Sequence, residues 1–396
     1  MDYDIVVSGG GIAGLAAAAA FGAEGYTVLC LDPAPPVTRR DDDGADLRTT
    51  AFLQPARDFL DEIGLWARLE QHAMPLQVMR IVDAGGETAE PRVTKAFNAS
   101  DISDLPFGWN LPNWLLRREF VAHLDALPSV TFRPGTGTTA LFTRNAEARV
   151  TLSDGSKVRC RLVIAADGRG SPMRRAAGID VQTTRFGQKA LAFAVTHPIP
   201  HENVSTEIHR TGGPFTFVPL PDLDGSPSSA IVWMEEGPKA DALAALDVDA
   251  FEDAMNQRSC HLFGPLKLAS RRTIWPIISQ QADRLSGERI ALVAEAAHVV
   301  PPIGAQGLNM SLTDIRVLRD LARLDGAELG SRKMLDAYHQ KRIADIRARV
   351  AGITLLNRTS MLSAQPLRDL RAKGLDALYT LKPVRKTLMQ LGLGAR

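Results

Sequence analysis

The sequence predicts an α/β fold in which an open sheet is interrupted by an antiparallel-sheet lobe and followed by C-terminal helices. Three observations predict it. A buried apolar strand at residues 3–8 runs into Gly9, Gly11 and Gly14, spaced G-x-G-x-x-G, and then into an apolar helix at 15–23. Between about residues 191 and 279 the pattern changes to short alternating runs, the period of half-buried strands. Helical patterns then fill 331–362 and 366–392.

The first turn suits an anion. Gly9 makes the turn, Gly11 lets the backbone approach a pyrophosphate, and Gly14 lets helix and strand pack closely. The helix start offers N–H groups and a positive dipole end. A second strand at 26–31 ends on Asp32, 18 residues past Gly14. An acid roughly 20 residues on is the expected ribose ligand of a Rossmann-like dinucleotide site.

Residues 33–47 hold Pro33, Pro35, Pro36 and the run Arg39 to Gly44, and read as a polar, mobile loop. Its consecutive acids, Asp41 to Asp43, read as solvated, so no metal site is predicted. A helix at 54–63 stops at Gly64, and a strand at 78–83 turns at Gly85-Gly86. Residues 97–114 read as loop, with Trp109 and Trp114 as core anchors. A helix at 116–127 and strands at 130–133, 140–145 and 148–153 follow. Residues 158–166 read as one buried strand ending on Asp167-Gly168, at the end of a sheet where ligands bind in open α/β folds. Alternating strands at 191–197, 204–209, 215–219 and 230–235 are interrupted by a helix at 248–258. A last buried strand, 290–294, enters Glu295 to Met310 and a helix to Leu324, and His298 reads as a local hydrogen-bonding residue at that helix entry.

Composition excludes several classes. The net charge of +1 gives no electrostatic case for nucleic acid. Cys30, Cys160 and Cys260 are far apart with no C-x-x-C pair, so neither a disulfide framework nor a zinc site is predicted. They read as single thiols in a reducing compartment. No secretory pattern precedes the first strand, and no apolar run reaches the roughly 20 residues that span a bilayer. The expectation is a cytoplasmic protein.

Arg48-Thr-Thr-Ala51, Arg117-Arg-Glu-Phe120, Ala296-Ala-His298, Pro302-Ile-Gly-Ala-Gln-Gly-Leu-Asn309 and Lys382-Pro-Val-Arg-Lys-Thr-Leu-Met-Gln-Leu-Gly392 complete the pattern. With the first glycine turn and Asp167-Gly168, the chain resembles the single-component (group A) flavoprotein monooxygenases built like para-hydroxybenzoate hydroxylase. Among these it looks most like the ubiquinone-biosynthesis hydroxylase family, over nearly its whole length. The resemblance implies a discontinuous FAD-binding domain at 1–75, 115–185 and 281–345, a substrate domain at 76–114 and 186–280, and a helical segment at 346–396. It implies that Gly9, Gly11, Ile12, Ala13 and Gly14 cradle the FAD pyrophosphate and that Asp32 holds the adenosine ribose. Arg48 and Arg117 face the cofactor. Asp167 and Gly168 close on the pyrophosphate and serve the nicotinamide donor, and Glu295 holds the ribityl chain. Gly304, Gln306, Gly307, Leu308 and Asn309 set a helix start beside the flavin N1–C2 edge. Arg169, Arg174 and Arg175 either touch the donor's phosphate or form a solvated basic cluster.

The implied activity is hydroxylation of an aromatic ring with NAD(P)H, a transient visitor, and O2. No side chain stands out as a catalytic acid or base. Two departures from the family pattern are visible: its Gly-Asp before Ala-Ala-His is here Ala294-Glu295, and its Gly-Gly-Gln-Gly is here Gly304-Ala305-Gln306-Gly307. The leading substrate is a polyprenylphenol intermediate of ubiquinone biosynthesis. The alternatives are a soluble hydroxylase of a small phenol or secondary metabolite, and a flavin-poor scaffold of a biosynthetic complex. Between 358 and 396, eight basic residues stand against Asp369 and Asp376 and interleave with leucines. That segment either meets a membrane surface or a biosynthetic partner, or packs on the protein with a solvated basic face.

Overall fold

The computed structural model describes residues 1–396 except 87, 325, 363, 381 and 394–396. Apolar residues at 5–7, 28–31 and 162–165 leave these strands no polar face, so they suit a sheet covered on both sides. Six strands lie in the order Ser286–Gly287, Ile290–Leu292, Leu162–Ala165, Ile5–Ser8, Val28–Asp32, Val130–Pro134. Every pairing is parallel except that of the first two. The helix Ile12–Ala23 is buried along most of its length and packs against the helices Asn113–Leu124 and Gln306–Leu324. A small antiparallel sheet, Thr138–Thr143, Ala148–Leu152 and Lys157–Cys160, adds Val150 and Leu152 to the same core.

The expected single strand at 158–166 is in fact two. Lys157–Cys160 belongs to the small sheet and Leu162–Ala165 to the large one, and the chain changes sheets at Arg161. The period changes at the switch: Lys157–Cys160 alternates exposed and buried residues, whereas Leu162–Ala165 is buried throughout, and a single-strand reading passes over that change.

The second large sheet has nine strands. Its main path runs His298–Val299, Thr273–Ala282, Val181–Thr196, Ser226–Glu236, Pro214–Leu223, Val204–His209, Val78–Asp83, Val93–Asn98, with Lys267–Leu268 paired to Val181–Thr196. Phe193, Phe215, Phe217, Trp233 and Phe251 form its core. His298–Val299 pairs with Gln280 and Gln281, which ties this sheet to the segment that follows Ile290–Leu292. The helix Val248–Arg258 lies where the sequence placed it.

Residues 97–114 are not all loop. Gly108–Pro112 is a strand held between Thr49–Leu53 and Met74–Leu76. Its Gly and Pro ends hide the strand signal. Trp109 within it meets Trp66 edge-on at 5.4 Å. Residues 33–47 are pinned rather than free. Arg40 donates to the Ala269 carbonyl at 2.8 Å, and Arg271 donates back to the carbonyls of Asp42 and Ala45.

At the C-terminus the long helix Arg332–Ser360 is followed by two helices, Gln365–Thr380 and Lys382–Leu393, where one was expected. Pro383 sits in the first turn of the second, a position that proline favours. The first lies along the edge strand Val93–Asn98, through Lys95–Asp376 at 2.6 Å, Arg92–Asp369 and the Tyr379 hydroxyl donating to the Ala96 carbonyl at 3.0 Å. The second packs Met389 against Ala99 and Phe107 and pairs Arg385 with Asp101 just beyond that strand. They thereby cover an otherwise open sheet edge. Of the residues singled out in this segment, Leu381 and Arg396 lie outside the described residues. Among the described residues no helix is long and apolar enough to cross a membrane.

Candidate functional site

Three adjacent parallel strands, Ile290–Leu292, Leu162–Ala165 and Ile5–Ser8, deliver their following turns to one edge of the sheet. The next strand, Val28–Asp32, ends at the same edge on Asp32. At this edge Gly9 has φ +107°, and a Cβ there would stand 2.3 Å from the Ala166 carbonyl oxygen. A Cβ on Gly14 would stand 1.8 Å from the Gly9 oxygen. Gly9 and Gly14 are therefore packing residues. Gly11 differs: nothing lies within 4 Å of its Cβ position. No side chain caps the helix that starts at Ile12 and then runs through Ala13 and Gly14, and its first turn holds no acid. Its first N–H groups face that open side without an intrahelical acceptor. Asp32 accepts the Gly10 N–H at 2.6 Å and the Ala34 N–H at 2.9 Å. Gly10, which the glycine spacing leaves unspecified, is fixed here too, since a Cβ would meet that of Asp32 at 2.8 Å.

Asp167 accepts the Ser171 hydroxyl and, at 3.0 Å, the Met173 N–H. Burial pushes its carboxyl above the usual range against those hydrogen bonds. Gly168, with φ +80°, and Gly170 both face open space. The three arginines that follow part company. Arg174 is buried and donates to the carbonyls of Ala296 at 2.9 Å and Arg169 at 3.0 Å, and Arg175 donates to the Gly170 carbonyl at 2.6 Å. Arg169 and Arg175 are both exposed, but of the three only Arg169 lines the cavity of about 430 Å³ that it shares with Gly170, Arg185, Lys189, Pro276 and Gln280. Lys189 is paired with Asp241 at 2.6 Å. Arg169 and Arg185 form no ion pair among the described residues.

Glu295 is exposed, on a short 3-10 turn that Arg174 braces at Ala296. Its charge reaches Arg48. Two hydrogen bonds, at 2.8 and 2.7 Å, clamp the Arg48 guanidinium onto Asp46, and Arg48 also lies over Trp275 at 5.4 Å. Asp46 first raises the affinity of Arg48 for its proton, and Glu295 adds to it. Burial alone would raise the Asp46 carboxyl, but Arg48 and Asn113 outweigh it and hold it below the usual range. Arg117 is half-buried on the helix Asn113–Leu124 and makes no ion pair among the described residues.

The helix Gln306–Leu324 starts after two left-handed residues, Gly304 at φ +65° and Ala305 at φ +55°. Gly307 has nothing within 4 Å of a Cβ, and Leu308 is half-buried beside it. The Asn309 side chain turns inward: it accepts the Leu53 N–H at 2.9 Å and donates to the carbonyls of Ala51 and Ala305. It locks the helix start to the strand Thr49–Leu53. His298 is buried and, contrary to the local role read from its position, pairs across the fold: its Nε2 lies 2.6 Å from Asp314, sixteen residues on. Asp314 in turn accepts from Arg342 at 2.8 Å. Asp46, Asp314 and Arg342 were not singled out in the sequence. One signal was available: Asp314 falls on the apolar stripe of its helix, four residues from Met310 and four from Leu318.

A sequence-family description, FAD binding domain, matches residues 2–352. The ubiquinone hydroxylase UbiL of Rhodospirillum rubrum is 31% identical over 394 residues, covering 99% of this chain and 89% of that one. The 3-demethoxyubiquinol 3-hydroxylase of Escherichia coli is 26% identical, covering 99% and 98%. Among solved structures, p-nitrophenol 4-monooxygenase PnpA from Pseudomonas putida superposes with a TM-score of 0.79 at 19% identity, over 100% of this chain and 99% of that one. At that identity the likeness concerns the fold.

Two predictions follow from the backbone. Gly14→Ala lowers the stability measured by urea unfolding by about 3 kcal/mol, because the Gly9 carbonyl cannot yield, whereas Gly11→Ala leaves stability within about 0.5 kcal/mol and weakens dinucleotide binding. Ala294 at φ +56° and Ala305 both hold left-handed backbone that glycine adopts freely. Ala294→Gly and Ala305→Gly each stabilise the protein by up to about 1 kcal/mol, read as a rise in Tm of about 2 °C.

Proposed function

Because this chain belongs to the FAD binding domain family, and within it to the ubiquinone hydroxylases, it is an FAD-dependent aromatic hydroxylase, and we propose that it hydroxylates a polyprenylated phenol of ubiquinone biosynthesis. The observation that carries this reading is the shared sheet edge, where Gly9 to Gly14, Asp32, Asp167-Gly168 and Glu295 arrive from four neighbouring strands. The residues fit FAD. The faces of Gly11, Gly168, Gly170 and Gly307 are open, and the helix starting at Ile12 has no side-chain cap to compete for an anion.

FAD supplies the electron-transfer and oxygen-activating chemistry when bound. The N–H groups of Ile12, Ala13 and Gly14 hold its pyrophosphate. Asp32 accepts from the ribose hydroxyls with lone pairs that Gly10 and Ala34 leave free. Glu295 takes the ribityl hydroxyls, and Arg48, held by Asp46, and Arg117 stand on the cofactor side. The start of the helix Gln306–Leu324 would supply N–H groups and a positive dipole end to an anionic edge of the flavin. Among the described residues no side chain at this edge stands out as a catalytic acid or base, and the protein's part is to position the aromatic ring against the cofactor.

Arg169 and Arg185 receive the anionic groups of NAD(P)H at the rim of their shared cavity. Arg174 is buried and held by two backbone carbonyls, and Arg175, though exposed, does not line that cavity. Arg169→Ala and Arg185→Ala each raise KM for the donor about tenfold, the loss of one charge-assisted contact, with kcat within about twofold in steady-state assays.

The C-terminal helices offer the surface for a membrane-held substrate. Asp369 and Asp376 are spent on Arg92 and Lys95. Leu355, Leu356, Leu367 and Leu370 remain exposed, with Arg358 and Lys373 exposed in the same segment. Apolar side chains among cations suit an anionic lipid interface. Changing Leu367 and Leu370 together to Glu abolishes cosedimentation with anionic vesicles while FAD content stays unchanged. Vesicle binding that survives the change rules this surface out.

Deleting the gene and analysing the quinone pool by mass spectrometry tests the substrate. The reading predicts loss of ubiquinone with a prenylated phenol lacking one oxygen accumulating. An unchanged pool would point to a redundant homologue or to a small, tail-free phenol, which substrate screening with the FAD-loaded protein separates.

A further inference from the structure

A chain of buried and half-buried polar groups leaves the segment after Glu295 and returns to the helix start at Gln306. His298 meets Asp314 at 2.6 Å. Asp314, fully buried, also takes Arg342 Nε at 2.8 Å. Arg342 reaches Asp345 at 2.7 Å, and Asp345 takes Arg349 Nε at 2.9 Å. Arg349 Nη1 then donates to Gln306 Oε1 at 2.8 Å, and Gln306 Nε2 donates to the Gly304 carbonyl at 2.9 Å. The chain passes through the helices Gln306–Leu324 and Arg332–Ser360.

We infer that Arg349 is a positioning residue for the pyrimidine end of the flavin, acting through Gln306. The guanidinium is a rigid fork, and its two used donors join Asp345 to the first residue of the helix. The two residues before Gln306 hold left-handed backbone, one of them alanine. That short segment has a conformation its own side chains do not favour, so an outside bond fixes it. Gln306 bridges the two: its amide oxygen is held by Arg349 while its amide nitrogen holds the Gly304 carbonyl. A helix start stabilises an anion only when its N–H groups point at a fixed place. Arg349 also adds a positive charge on the side of that helix end. The inference rests on the FAD reading, in which this helix start faces the ring edge where the reduced cofactor carries negative charge.

The test uses the FAD-loaded, full-length protein and reads the two-electron reduction potential, FAD affinity and sulfite affinity. Arg349 is partly exposed, so Arg349→Gln is expected to keep the wild-type Tm. It shifts the equilibrium between reduced and oxidised flavin about tenfold toward oxidised, about 30 mV more negative, and weakens sulfite binding in the same direction. Arg349→Lys keeps the charge but cannot bridge both partners, and it recovers less than half of the shift. Gln306→Met gives a shift like that of Arg349→Gln, and the double variant adds little to either, as expected of two residues in one pathway. An unchanged potential in Arg349→Gln at wild-type Tm overturns the inference, as does simple additivity in the double variant. Wild-type protein that takes up no FAD would overturn the FAD reading itself, which separates the two failures.

Discussion

The close approach of Gly14 to the Gly9 carbonyl is the constraint on which the site depends. A side-chain carbon would have only 1.8 Å there. Because that space is empty, the helix Ile12–Ala23 stands directly over its strand. The turn between them is then tight enough to bring the helix start to the strand end. The same turn leans on Ala166 at the end of the neighbouring strand, where Gly9 likewise has no room for a side chain. Two strands and one helix are thus locked at one point. The remaining elements of the edge are registered against it through the parallel pairings of Leu162–Ala165 with Ile5–Ser8 and with Ile290–Leu292.

The second fixed point is the Glu295 to Asn309 block. Its two ends are held by different means. Arg174 and His298 hold the entry, the first at the Ala296 carbonyl and the second at Asp314. Asn309 holds the exit, spanning Ala51, Leu53 and Ala305 with one amide. Ala294, just before the block, and Ala305, near its exit, hold left-handed backbone without being glycine. These are the two positions at which the resemblance drawn from the sequence leads one to expect glycine. A local backbone cost at a ligand-facing turn is tolerable where the surroundings over-determine the conformation, and the bonds on either side do so here.

Much of this was legible in the sequence because it is local. The glycine spacing, the acid at the end of the second strand and the block from Glu295 to Asn309 are short-range patterns with a mechanical meaning. The long helix after Gln306 and the alternating strands of the second sheet are equally local in period. What was not legible is what depends on distant partners. The strand Gly108–Pro112 exists only because Thr49–Leu53 and Met74–Leu76 flank it. The loop 33–47 looks free by composition, yet Arg40 and Arg271, more than 200 residues apart, fasten it reciprocally to the second sheet. The division of labour among Arg169, Arg174 and Arg175 is likewise a matter of which side chains find a backbone carbonyl, as Arg174 and Arg175 do, and which faces a cavity. Side chains of one type in one run carry no signal for that choice.

The central claim is that this edge holds FAD so that an oxygen atom is placed on an aromatic ring. It is tested most directly by supplying ¹⁸O2 to the purified, FAD-loaded protein with NAD(P)H and a prenylated phenol, and weighing the product. The account predicts one ¹⁸O atom per product molecule, located on the ring, with NAD(P)H consumption stimulated by the phenol. NAD(P)H oxidation that yields only unlabelled phenol, or a product whose added oxygen comes from water, would contradict it.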